Sequence, residues 1–181
     1  MSFTRLDASS AADWARIGAA HAEDFRAGTG LRVMDLLRAL KPLELGFPCD
    51  QLHHALQTAT LARRDGADDE EQLAALCHDM GKAISVPNHP AIAAEMLRPY
   101  VRDDVYCAVL HHQEFQGRYY YAHFGRDPNL RDAHAAAPWF TLCEKLVDRW
   151  DNPAFDPEFE ADPLESFEPL VMRMFAAPRM M

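Results

Sequence analysis

The sequence is short of positive charge: 18 lysines and arginines stand against 28 aspartates and glutamates, a formal net charge of −10 over 181 residues. A nucleic-acid groove or an anionic membrane surface needs basic patches, so neither is expected as a partner. The deficit leaves room for bound cations instead. Paired cysteines are also missing. Cys49, Cys77, Cys107 and Cys143 are well separated with no C-x-x-C spacing, so they are expected to be free thiols rather than disulfides or zinc ligands. No apolar run approaches the ~18 residues of a spanning helix. The N-terminal stretch carries Asp7, Asp13, Glu23 and Asp24, unlike a secretory signal, and the expected location is the cytoplasm. Segments of strand period and internal repeats are absent as well. What is present is a 49% hydrophobic chain of ordinary single-domain length, enough to bury a core unaided.

The apolar spacing is helical nearly throughout, which predicts an all-α, single-domain bundle. Ser10 and Asp13 form a capping box for a helix carrying Trp14, Ile17 and Phe25. Gly28 and Gly30 are expected to break it, with a second helix over 31–40 that Pro42 stops. Asp50 is the N-cap of a third helix that holds His54 and ends before Asp65-Gly66. Acidic residues 68–71 suit the start of a fourth, which delivers His78-Asp79 at its far end. Asn88 is expected to cap a fifth helix beginning with His89-Pro90, and Asp103 or Asp104 opens a sixth ending at His111-His112. Residues 113–137 read as a long aromatic loop. Pro138 starts a seventh helix through Trp150, residues 152–163 read as an extended wrap, and a last helix covers 164–175. The expected organisation is N-terminal helices over 1–43, a metal-binding core over 44–157 and a C-terminal extension over 158–181.

Histidines and aspartates recur at the ends of these helices, and imidazole and carboxylate are the side chains that hold a transition metal with open positions. Neighbours on a helix point about 100° apart, so His78 and Asp79 cannot coordinate alike. One solution has His78 bind a single ion while the two oxygens of Asp79 bridge a pair. His112 shares a face with Val101, Val105 and Ala108, whereas His111 shares one with Tyr100, Asp104 and Cys107, which favours His112 as the inward residue. The same test does not separate His53 from His54. Cys77 is expected to be a small core residue, and His21, His123 and His134 to be surface or loop residues. Tyr119, Tyr120 and Tyr121 are expected to pack, or to cover a pocket.

The strings Gln-Leu-His-His54-Ala-Leu-Gln-Thr-Ala, Cys-His78-Asp79-Met-Gly-Lys82 and Asn-His89-Pro resemble the HD-domain superfamily of metal-dependent enzymes, over roughly residues 44–157. More narrowly, the chain resembles the mixed-valent diiron oxygenases that include myo-inositol oxygenase and the phosphonate-cleaving HD oxygenases. That resemblance implies six ligands: His54, His78, Asp79, His89, His112 and the Asp151 of Arg-Trp-Asp151. Asp148 lies one turn earlier, but the aromatic-aspartate match falls on Asp151. One iron would take His54, His78 and Asp151 and the other His89 and His112, with Asp79 between them. Lys82 would direct its cation at an anionic or hydroxylated substrate.

The implied reaction is cleavage of a small polar hydroxylated molecule with O₂ at two iron ions. Phosphohydrolases share the same strings, and with Mn, Zn or Mg the implied alternative is hydrolysis of a phosphate ester. A metal-holding binding protein without turnover is a third reading. The chain also departs from the phosphonate oxygenases, which place a tyrosine and a glutamate shortly before their first ligand histidine. Glu44 and Phe47 occupy those positions here, a departure that bears on a phosphonate substrate and on how the open iron position is protected.

Overall fold

Helix after helix forms where the capping and periodicity place it. A computed structural model describes residues 3–179; residues 1–2 and 180–181, at the outer edges of the two expected terminal extensions, lie outside the described residues. The elements are α1 (Ala11–Arg38), α2 (Gln51–Arg64), α3 (Asp69–Cys77), α4 (His89–Leu97), α5 (Asp103–Tyr120), α6 (Phe140–Glu144) and α7 (Glu168–Phe175). Strands are absent among the described residues. The architecture is all-α, as the periodicity predicts. No helix among the described residues is long and apolar enough to cross a membrane.

The caps explain the starts. Ser10 accepts from the Asp13 amide at 3.2 Å while Asp13 accepts from the Ser10 amide at 3.0 Å, the reciprocal box that satisfies two exposed helix-end donors. Asp50 accepts from the His53 amide at 2.8 Å and Asp68 from the Glu71 amide at 2.9 Å. Asn88 does not cap α4 with its side chain; that helix starts on His89-Pro90, where proline's missing N–H costs nothing.

Three expectations about helix extent are corrected. First, α1 runs unbroken through Gly28 and Gly30. A Cβ on Gly30 would lie 2.7 Å from Met172 Sδ and 3.3 Å from its Cα, so this glycine lets α7 approach α1 closely instead of ending the helix. Over Gly28 passes the Arg32–Asp24 ion pair, N···O 2.9 Å. Second, α5 continues past His112 to Tyr120, because Phe115 is fully buried and carries the apolar stripe onward. Third, the long loop expected over 113–137 is mostly helical: the end of α5, then 3-10 turns at Tyr121–Phe124 and Leu130–His134.

One hydrophobic core joins the helices. α2 packs on α3, α4 on α5, and α7 on α1 and α3. The chain leaves α6 as a π-helical segment, Lys145–Asp151, that packs on α2, α3 and α5. Trp150, Leu146, Leu73, Leu76, Leu97 and Phe115 fill the space between them, each at most 1% exposed. Residues 152–163 form the expected wrap, laid as a strap along α2. Gln57 donates to the Asp156 carbonyl at 2.8 Å, Thr60 accepts from the Asp162 amide at 2.9 Å, and Arg64 donates to the Glu160 carbonyl at 3.0 Å. Of the polar residues buried on α2, His54, Gln57 and Thr60 are spent on backbone groups of the strap.

The tight α1–α7 contact makes a two-sided test. Gly30→Val should lower unfolding free energy by about 1–3 kcal/mol through overpacking. Gly18→Ala, whose added Cβ meets open space, should raise it by up to about 1 kcal/mol from helix propensity. Chemical denaturation of both variants measures the difference, and a Gly30 variant as stable as the parent would contradict the close packing.

Candidate metal centre

Six side chains from five parts of the chain meet at one point in the core. His54 comes from the first turns of α2, His78 and Asp79 from the end of α3, His89 from the start of α4, His112 from the middle of α5 and Asp151 from the end of the π-helical segment. All are fully buried except His89, which is 3% exposed. The alternatives left by the sequence fall elsewhere. His53 is half-buried and contacts the Phe159 carbonyl at 3.1 Å, while Asp148 accepts from Arg131 at 2.9 Å. His111 turns away onto the face of Trp139, ring centroids 4.6 Å apart.

The four rings are oriented by their own backbone. Nδ1 of His54 lies 2.9 Å from the Ala154 carbonyl, that of His78 2.9 Å from Ala75, that of His89 2.8 Å from Val86 and that of His112 2.7 Å from Val109. A carbonyl oxygen can only accept, so each Nδ1 carries the proton and a neutral ring leaves Nε2 as a bare lone pair. All four Nε2 atoms point into the centre. The Nε2 atoms of His54 and His78 face each other at 3.2 Å, and those of His89 and His112 at 3.3 Å. Between neutral rings so held, neither contact has a proton to share. Backbone-fixed imidazoles of this kind are the arrangement that metal-binding histidines adopt.

The carboxylates divide this cluster into two halves. Asp79 Oδ2 lies 3.4 Å from His54 Nε2 and 3.5 Å from His78 Nε2, whereas Oδ1 lies 3.0 Å from His89 Nε2 and 3.4 Å from His112 Nε2. Asp151 Oδ1 completes the first half at 3.2 Å from His54 and 3.7 Å from His78. Donors bound at about 2.1 Å to one ion sit about 3.0–3.4 Å from each other, close to this range. Asp79 Oδ1 and Asp151 Oδ1 are buried with no hydrogen-bond donor, a state that a bound cation relieves. The donor set fits one divalent ion in each half, with Asp79 shared.

Electrostatics point the same way. Burial opposes charge on His54, but the hydrogen bonds and charges of Asp151 and Asp79 outweigh it and push its pKa up to about 9. Asp79 resists burial too: the charges of His78 and Lys82, with bonds from His112 and His54, hold it well below the usual carboxylate range. For His112 burial wins over Asp79, and its pKa falls. Two buried carboxylates thus demand positive charge at the Nε2 positions, from a proton or from a metal.

Lys82 stands in a 3-10 turn, Met80–Ala83, rather than on a continuing α-helix. Its ammonium donates to Asp79 Oδ2 and, at 2.7 Å, to Gln51 Oε1. The nearby glycine has a steric reason. A Cβ at Gly81 would sit 2.3 Å from the His89 carbonyl oxygen and 2.8 Å from its Cα, so only glycine lets the two metal-facing segments touch.

The sequence reading missed several residues. Gln116 donates to Asp151 Oδ2 at 2.6 Å; it lies one turn beyond His112 and shares its face, a signal hidden by ending α5 too early. Gln51, three residues before His54, holds Lys82. Phe155 stacks on the His54 ring at 4.3 Å and Phe47 stacks on Phe155 at 5.1 Å. Phe47 is delivered by a turn over 44–47 in which Leu45 (φ 50°) and Gly46 (φ 83°) are left-handed. The departure at Phe47 therefore places an aromatic plate over the first half of the centre. Glu44 stays exposed, with its carbonyl accepting from the Phe47 amide at 2.9 Å. His21 and His123 are exposed as expected; His134 is half-buried instead, bonded to Glu114 at 2.7 Å.

Gly81→Ala should lower metal occupancy as well as stability, because backbone cannot yield 1 Å at that contact without moving His89. Elemental analysis beside a thermal melt would register both losses, and full occupancy with an unchanged melt would contradict the packing.

The comparisons agree with this geometry. No curated protein matches the chain. A family model described as the HD domain matches residues 52–155, a span that opens two residues before His54 and closes four after Asp151. All six residues of the His/Asp centre lie within that span, and the chain belongs to the HD domain family, whose members are generally metal-dependent enzymes that bind divalent ions.

Proposed function

We propose that this HD-domain protein is a diiron oxygenase that cleaves a small polar hydroxylated substrate with O₂, with His54, His78, Asp79, His89, His112 and Asp151 as its ligands. The observation that carries the reading is Asp79, whose two oxygens address two separate sets of histidine nitrogens. A donor set of four imidazoles and two carboxylates suits iron or zinc better than magnesium, which prefers oxygen. The half around His89 and His112 takes fewer protein donors than the half around His54, His78 and Asp151, so it has room for substrate oxygens. When bound, a pair of irons would supply dioxygen activation, whereas redox-inert divalent ions would supply Lewis acidity for hydrolysis.

The chain's own groups have definable parts. Phe47 and Phe155 exclude water from the His54 side, and a dry site strengthens every charge within it. Lys82 holds a proton-bearing ammonium against Asp79, where it can exchange that contact for an anionic or hydroxylated substrate. Gln51 fixes the ammonium, and Gln116 fixes Asp151. These two amides hold donors and acceptors in register before the substrate arrives.

The second reading, a phosphohydrolase, draws on the family match and on Lys82, whose charge would offset that of a phosphate ester. Metal identity separates the two. The oxygenase reading expects about two irons per chain, a mixed-valent paramagnetic signal and O₂ uptake with candidate diols. Phosphate release under strict anaerobiosis with no O₂ uptake on any substrate would overturn it. Ala substitutions at His54, His78 and Asp79 should each deplete metal, and undiminished metal in all three would refute the ligand set. Lys82→Met should keep its metal yet lose roughly 10²-fold in kcat/KM, the scale of one lost charged donor; full activity would remove Lys82 from the substrate's path.

A further inference from the structure

Two of the histidines that the centre does not use, His111 and His134, come together on another face of α5. Glu114 lies between them, with Oε2 2.7 Å from His134 Nε2 and Oε1 3.6 Å from His111 Nδ1. One ligand atom from each of the three residues falls within 4.8 Å of the others. We propose that His111, Glu114 and His134 form a second metal site, separate from the dinuclear centre, that takes a single borderline divalent transition ion such as Zn²⁺.

The geometry is built rather than accidental to one side chain. His111 and Glu114 are three apart on α5, so they project from adjacent turns of one face. His134 comes from the 3-10 turn Leu130–His134, which Arg131 anchors by donating to Asp148 at 2.9 Å. Trp139 walls the pair: it stacks on His111 at an interplanar angle of 6° and lies 5.0 Å from the His134 ring. Both rings are thus restricted while their nitrogens stay near Glu114.

Charge and access suit a dication. The ion pairs of Glu114 among the described residues are with these two histidines, so with neutral rings the cluster carries one negative charge. The three side chains are 25%, 43% and 26% exposed, in the order His111, Glu114, His134, which admits an ion from solvent and leaves coordination positions for water. Two imidazoles and one carboxylate select zinc-like ions over Mg²⁺ or Ca²⁺. A bound ion would clamp the 130–134 turn to α5, one residue away from His112.

The test is calorimetric titration of Zn²⁺ into protein already holding its native metals, with elemental analysis after gel filtration. One further Zn²⁺ per chain is expected, bound roughly 100-fold or more weakly once His134→Ala or Glu114→Gln removes a donor, while the native metal content stays constant. Glu114→Gln keeps the side chain's shape, so loss of binding there cannot be assigned to unfolding. Absence of a further equivalent in the parent protein, or equal Zn²⁺ affinity in parent and both variants, would overturn the site. Because the native metals are counted in the same samples, failure here is distinguishable from failure of the dinuclear reading.

Discussion

Four imidazole rings are turned to the same point by four backbone carbonyls, and the rest of the molecule is arranged around the consequence. Each ring donates its Nδ1 proton to a carbonyl oxygen at the rim. The Nε2 atoms left inside stand beside two carboxylates that burial has stripped of water. Taking such carboxylates out of water costs several kcal/mol each, and the surroundings return only part of it through Lys82 and Gln116. An interior built in this way is not a stable apolar core with polar decoration. Positive charge at the Nε2 positions, from a proton or a bound cation, balances it.

That requirement explains features that packing alone would not select. α2 buries Gln51, His54, Gln57, Thr58 and Thr60, an unusual number of polar groups for a helix at the heart of a bundle. Most are committed to neighbours that locate the centre: Gln51 to Lys82, His54 and Gln57 to the strap, Thr60 to its far end. Gly81 is small because the backbone of His89 passes against it. The π-helical turn at 145–151 has a comparable effect. Its extra residue per turn keeps Trp150 in the core, where it also donates to Asp65 at 3.1 Å, and still brings Asp151 to the histidines. Such turns recur where a helix must present a functional side chain.

Much of this was legible beforehand, for definable reasons. Helix order, and the starts of α2 and α3, followed from caps such as Asp50 and Asp68 and from 3.6-residue periodicity, although one helix, α1, stands where two were expected. The convergence of His54, His78, Asp79, His89, His112 and Asp151 followed from motif spacing joined to a family resemblance, and the face test turned His112 inward rather than His111, as the structure has them. Three things were hidden. Gly30 reads as a helix breaker in one dimension and is a contact in three, since Met172 lies far along the chain. The end of α5 was set too early because His111-His112 resembled a terminus, and Gln116 was lost with the residues beyond it. Phe155 and the carbonyl of Ala154 have no local signature at all, as their roles depend on a strap crossing about a hundred residues of sequence separation.

That last separation has a temporal side. Helices close locally and early, whereas a contact between residues 54 and 154 must wait for a long loop to close. Until the strap docks, His54 lacks the acceptor that fixes its tautomer. During synthesis the half around His89 and His112 can assemble from helices already made, while the half around His54 and Asp151 must await the last third of the chain. Any ion held by His54, His78 and Asp151 would be enclosed only when the strap settles and lays Phe155 on the His54 ring.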